Sequence, residues 1–156
     1  MANITVGELI GADAVLSYNT GTHASPVWVT VTRAKDVSMN ATKGSAEISS
    51  RASRFKYKKG ALKELGLEFG YQYTRGTDTV WTMLQDSFVN GTANEYWVGD
   101  GGITLTGAKG WRFYGEVNEF SYEQSLEDSE VYKVKVDPTT FYVSGTLVEP
   151  DMYIIS

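Results

Sequence analysis

The stretch Lys63-Glu-Leu-Gly-Leu-Glu-Phe-Gly-Tyr-Gln-Tyr73 alternates along its whole length. Its odd positions are Leu65, Leu67, Phe69, Tyr71 and Tyr73; its even positions are Glu64, Gly66, Glu68, Gly70 and Gln72. Successive side chains of a strand point to opposite faces, so the pattern predicts a long strand with one buried and one polar face.

Outward from this strand, shorter segments repeat the theme. Upstream, Trp28–Thr32, Val37–Asn40 and Ala46–Ser50 read as strands, with Lys43-Gly44 as a turn. Downstream, strands are predicted at Glu95–Val98, Gly110–Val117, Glu119–Gln124, Val131–Val136 and Phe141–Leu147, with a turn at Asp100-Gly101-Gly102 and a stop at Pro138. One segment breaks the period. After Asp78, a natural N-cap, Val80, Trp81, Leu84 and Phe88 fall on one stripe of a helical wheel, and Asn90-Gly91 closes it. The expected fold is mainly β: a β-sandwich or open barrel with one flanking α-helix at about residues 79–90, in a single domain spanning 1–156.

Composition excludes several kinds of chemistry. The chain has 156 residues, no cysteine and one histidine, His23. Thiolate nucleophiles, disulfide scaffolds and multi-histidine metal centres are therefore ruled out. No phosphate-binding glycine loop, nucleophile elbow or zinc-protease helix occurs. Glu64 and Glu68 share a strand face, but four residues of strand separate them by about 13 Å, beyond the reach of a glycosidase pair. His23 lies in the polar stretch Asn19–Pro26 and reads as a solvated loop histidine. Neither an enzyme nor a metal or cofactor site is expected. The N-terminus lacks a basic region followed by an apolar core, and no apolar run approaches the roughly 20 residues of a membrane helix. The expected product is soluble, made in the cytoplasm and without a membrane partner. The sequons at Asn3, Asn40 and Asn90 are read as chance.

Charge is distributed unevenly. The formal net charge is −5, which weighs against a surface that grips nucleic acid overall. Arg51, Arg54, Lys56, Lys58 and Lys59 nevertheless cluster with no acid among them, and Phe55 and Tyr57 are interleaved. Between Glu116 and Glu130 the chain carries Glu116, Glu119, Glu123, Glu127, Asp128 and Glu130 with no Lys or Arg. Three readings compete: solvated surface, a nucleic-acid contact through the basic run, or a basic loop meeting an acidic surface on the next copy. Two different complementary patches on one chain give head-to-tail contacts, which build rings or filaments.

The order of these features resembles the tail tube (major tail) proteins of long-tailed bacteriophages. The resemblance runs from about Ala14 to Pro150. It is carried by Trp28-Val-Thr-Val with Lys35-Asp36-Val37, Ala46-Glu47-Ile48 leading to Arg51, and Lys59-Gly60-Ala61-Leu62 before the long strand. The single helix Asp78–Asn90 and the closing Gly145-Thr146-Leu147-Val148-Glu149-Pro150 complete it. It implies a structural virion protein of the tail, assembled in the host cytoplasm. Hexameric rings would stack into a hollow tube through which DNA is ejected. It implies self-association, together with a tape-measure protein and other tail proteins as partners, and DNA only in transit. A long inter-subunit loop is then expected at about 50–62, with Arg51, Arg54, Lys56, Tyr57, Lys58 and Lys59 as contacts between subunits or rings. An acidic bore repels phosphate, so Glu64, Glu68, Glu116 and Glu119 are the lumen-facing candidates. Two alternatives stand beside this one: a secretion-system tube protein, and a monomeric β-sandwich binding module for carbohydrate. For the latter, Trp28, Trp81 and Trp111 read as core, leaving Trp97 open.

Overall fold

A computed structural model of the chain describes residues 15–123 and 131–155. In chain order the elements are β1 (Val15–Asn19), β2 (Trp28–Thr30), β3 (Ala34–Glu47), β4 (Lys58–Tyr71), α1 (Thr79–Asn90), β5 (Asn94–Gly99), β6 (Lys109–Glu123), β7 (Val131–Pro138), β8 (Tyr142–Val143), β9 (Thr146–Leu147) and β10 (Asp151–Ile154). The fold is mainly β with one flanking helix, as the sequence implies.

The main sheet is antiparallel, with order β2-β1-β5-β6-β7-β4-β3. Seven strands laid flat would span about 29 Å. Yet β2 ends at Thr30 and β3 begins at Ala34, four residues later, a reach of at most about 14 Å. The sheet must therefore curl until its two edges approach each other, which makes it an open barrel. β6 is the strand that turns the corner. Its first half pairs with β5 and, on the other side, with β10; its second half pairs with β7. A register shift between Val117 and Glu119 bends it midway.

The concave face collects one core. Leu67, Phe69 and Tyr71 of β4 meet Val134 and Val136 of β7 and Val117 of β6; Leu16, Tyr18, Tyr96 and Phe113 close from the opposite wall. Leu84 of α1 plugs the cluster and is completely buried. The cap is as expected: Asp78 accepts a hydrogen bond from the Trp81 amide at 3.0 Å, and Gly91 ends the helix at φ 70°. Ser87 is buried as well. Its hydroxyl donates to the Thr92 carbonyl and accepts from the Val117 amide, tying the helix to β6 beside its bend. Phe88, assigned by its spacing to the buried stripe, is instead half exposed.

Several boundaries differ from the sequence reading. The segments 37–40 and 46–50 belong to one strand, β3, which ends at Glu47, and Lys43-Gly44 is not a turn but the site of a register shift within it. The alternating strand begins at Lys58 rather than Lys63, so residues 58–62 of the expected loop at 50–62 are ladder. The predicted strands Gly110–Val117 and Glu119–Gln124 merge into one, β6, which runs to Glu123; Gln124 lies outside the described residues. Phe141–Leu147 is a small hairpin, β8–β9, turning on Ser144 (φ 51°) and Gly145 (φ 80°). Hydrophobic periodicity cannot show these features, because a bulge shifts the alternation without ending the strand.

Candidate assembly interface

β3 and β4 form a ribbon that leaves the body. β7 supports β4 only from Leu67 to Tyr71. Below that point the pairs Asn40↔Gly66 through Glu47↔Lys58 continue with no third strand among the described residues. From Lys58 to Glu64 every residue of β4 is exposed, and so is β3 from Asn40 to Glu47. An isolated two-stranded ribbon is marginal in water, and its two open edges are templates for further pairing. The ribbon also exposes apolar side chains that a solvated arm would not need: Leu62 is 87% exposed and Phe55 is 74% exposed.

The tip, residues 48–57, is fastened internally. Ile48 donates its amide to the Tyr57 carbonyl at 2.9 Å, and Ser49 Oγ accepts from the Tyr57 amide at 3.1 Å. Ser53 Oγ accepts from the Phe55 amide and donates to the Tyr57 hydroxyl. Arg51, Arg54, Lys56 and Tyr57 sit on this tip, and Lys58 and Lys59 open β4 beside it; all six are exposed. Among the described residues the ion pairs are those of Glu95 with His23 and Arg112, so none of these five cations is paired with a described residue. Lys43 faces Lys63 directly across the ribbon, a like-charge juxtaposition that disfavours the isolated arm.

The acidic candidates share one pleat. Glu68, Lys135 and Glu119 lie side by side across β4, β7 and β6, and Glu116 faces Asp137. Each neighbours a residue of the core or packed against it (Leu67, Phe69, Val117, Phe120, Val134 or Val136), so all belong to the convex face. Glu64, four residues before Glu68 in unbroken register, joins them. Lys35 and Lys133 flank Gly70 on the same face, leaving five carboxylates against three lysines. Glu116 differs from the others in reach: its carboxylate lies beside Gly91 at the end of α1. Glu127, Asp128 and Glu130 of the acidic run lie outside the described residues.

A second polar site was not foreseen. Glu95 sits between Asn94 and Tyr96 in β5 and is 1% exposed. Its Oε1 accepts from Arg112 at 2.9 Å and from Asn19 Nδ2 at 3.0 Å, and its Oε2 lies 2.6 Å from His23 Nδ1. A carboxylate can only accept, so Nδ1 carries the proton. Arg112 also donates to the His23 carbonyl and lies 5.4 Å above the Trp28 ring. Asn19 Oδ1 accepts from the Gly21 and Val27 amides. The cluster thus pins the loop from Thr20 to Val27 to the sheet and borders a cleft of about 690 Å³. His23 is therefore not a solvated loop histidine. The available signal was Glu95 itself, an acid flanked by Tyr96, Trp97 and Val98 in a central strand. Burial, with the Glu95 charge adding to it, pushes the nearby Tyr114 hydroxyl up from its ordinary pKa.

The tryptophans do not form a sugar platform. Trp97 is fully buried, with its indole N–H donated to the Gly101 carbonyl, and Trp28, Trp81 and Trp111 are partly buried in the body. Among the described residues, no group of three or more His, Asp or Glu side chains is arranged to hold a metal ion, and no helix is long and apolar enough to cross a membrane.

No family model and no curated protein matches the sequence. Solved structures do match in shape. The chain is similar to the SPP1 tail tube, with 10% identity, a TM-score of 0.68, and 94% of this chain and 80% of that chain covered. It is similar to a chain from the tail of an empty gene transfer agent particle with C6 symmetry, at 13% identity and a TM-score of 0.63 over 91% and 98% of the two chains. A chain of the six-fold symmetrised anti-feeding prophage baseplate is similar at 6% identity and a TM-score of 0.53, over 99% of each. At these identities the likeness is one of fold, and the fold of this chain is that of the phage tail tube proteins.

Proposed function

We propose that this chain is the structural subunit of a virion tail tube. Six copies form a ring, and rings stack into a hollow conduit for DNA. The observation that carries the reading is the β3–β4 ribbon: two open edges, exposed Leu62 and Phe55, and cations without ion-pair partners among the described residues. Such an arm is stabilised by strands and acids of neighbouring subunits. Arg51, Arg54, Lys56, Tyr57, Lys58 and Lys59 are then contacts between subunits or rings. The convex face, with Glu64, Glu68 and Glu119, faces the bore.

The mechanism is physical. Six copies at −5 give each ring an overall charge of −30. A bore of that sign repels phosphate, so DNA passes without the counterion release that would hold it. No catalytic step and no cofactor is involved. Partners are further copies of the chain, a tape-measure protein and other tail proteins. The location is the tail of the virion.

Electron microscopy of the concentrated, purified protein tests the reading. Six-fold rings or tubes are expected; compact monomers at every salt and protein concentration would refute it. DNA inside particles that contain the chain separates a phage tail from a secretion-system tube.

A further inference from the structure

The arm tip has a counterpart at the opposite end of the molecule. Phe69 of β4 lies in register with Val134, and Val134 with Phe120 of β6. Eleven residues of strand separate Phe69 from Lys58 at the base of the tip, about 36 Å. At this far end α1 presents an apolar corner. Val89 is 65% exposed, and Phe88 is 46% exposed with its ring 6.2 Å from that of Phe120. Beneath them Trp81, Phe120 and Tyr132 pack ring against ring. The rim is acidic: Asp86 is the only charged residue of α1, and the Glu116 carboxylate lies beside Gly91.

The tip is complementary in both respects. Residues 48–57 contain Arg51, Arg54 and Lys56 and no acid, and they display Ile48, Phe55 and Tyr57. Its internal hydrogen bonds hold it in shape before any partner arrives, which lowers the entropy cost of docking. An aromatic anchor in the centre with charges at the rim is the usual anatomy of a protein interface. The separation along β4 prevents the two surfaces of one chain from meeting.

We infer that the arm tip of one copy docks on the Phe88–Val89 corner of a second copy, with Phe55 against the apolar corner and Arg51 and Arg54 toward Asp86 and Glu116. The inference rests on the tail-tube reading of the arm and gives it an address. The two surfaces differ, so the contact is heterologous and each docking leaves a free tip and a free corner. It propagates as a stack rather than closing as a dimer.

The absence of native cysteine makes the test direct. Phe55→Cys and Val89→Cys both replace exposed side chains. Mixed and oxidised with copper–phenanthroline, the two single variants should form disulfide heterodimers, while each alone stays uncross-linked. The double variant should give a covalent ladder. Homodimers of either single variant, or no heterodimer while the unmodified chain still forms rings or tubes, would overturn the docking and leave the tail-tube reading standing. A ladder without rings or tubes would do the reverse. Val89→Lys gives an independent readout. It should leave monomer melting unchanged and raise the concentration needed for assembly by about tenfold or more; unchanged assembly refutes the assignment.

Discussion

His23 Nδ1 lies 2.6 Å from the Oε2 of Glu95, whose side chain is 1% exposed. The pair, with Arg112, ties an exposed loop to a central strand through a charge that water does not reach. Removing Glu95 leaves the Arg112 guanidinium without its carboxylate and takes one of two acceptors from the Asn19 amide, which keeps the Thr22 carbonyl. Glu95→Ala should therefore destabilise the monomer by about 3–5 kcal/mol, the range for breaking a buried pair. His23→Ala removes one hydrogen bond at a partly exposed site and should cost about 1–2 kcal/mol. Urea denaturation of both variants checks the order; equal losses would mean that the Arg112 charge finds solvent.

Asp78 gives the fold an acid limit. Burial pushes its carboxyl pKa up, but the Thr74 and Trp81 amides and the Tyr71 hydroxyl donate to the charged form and outweigh burial, holding it below its ordinary 3.8. A depressed folded pKa contributes stability above the unfolded value, and that stability is lost as pH falls through the folded one. Denaturation midpoints should fall on acidification below about pH 4. Asp78→Asn should flatten part of that fall while costing about 1 kcal/mol at neutral pH, because the Tyr71 and Thr74 donors lose a charged acceptor. An unchanged acid profile in the variant would assign the loss to other carboxylates.

How much of this was legible beforehand follows from what periodicity can encode. The strand through Leu65, Leu67, Phe69 and Tyr71 and the helix between Asp78 and Gly91 are local patterns, and both were readable. The basic run at Arg51–Lys59 was readable as charge. Its position on a two-stranded ribbon was not, because 58–62 carries no alternation: both faces of that segment are exposed, so nothing constrains its pattern. β1 and β10 were also missed; they are short and take their strand character from partners distant in sequence. The Glu95 cluster joins residues 19, 23, 95 and 112, a set that only the folded sheet assembles.

The bulge near the start of β3 rests on Asp36. Between Lys35 and Ser38 the strand carries one residue more than its partner, and Asp36 absorbs it at φ 51°. Aspartate tolerates that region better than most residues, and β-branched side chains tolerate it least. Asp36→Val should cost about 1–2 kcal/mol, and Asp36→Gly should be neutral or mildly stabilising. Thermal melts of the two variants test this; a harmless Asp36→Val would mean that the bulge relocates.

Trp97 owes its burial to two glycines. A Cβ on Gly110 would come within 2.6 Å of the Gly99 Cα and 2.9 Å of the Trp97 ring, while also striking the Val98 carbonyl. Backbone cannot yield as a flexible side chain can. Gly110→Ala should therefore destabilise by about 2 kcal/mol or more, as overpacked sites do, and should change the environment of the buried indole. Trp fluorescence followed through denaturation reports both; a wild-type midpoint would show that β5 and β6 can part without cost.

Excising the arm separates folding from assembly. Joining Lys43 to Lys63 through Asn-Gly removes residues 44–62, and Asn-Gly suits the tight turn that such a hairpin needs. The removed residues are exposed except for Ser53, which is partly buried. Monomer stability should consequently stay within about 0.5 kcal/mol of the parent, the range for surface changes that touch no core. The Lys43↔Lys63 pair remains, now at the turn. Assembly should vanish, since the outer part of the ribbon and the tip go together. Sedimentation velocity across a concentration series distinguishes the outcomes: a folded, strictly monomeric variant is expected, and rings or tubes formed without the arm would remove it from the interface.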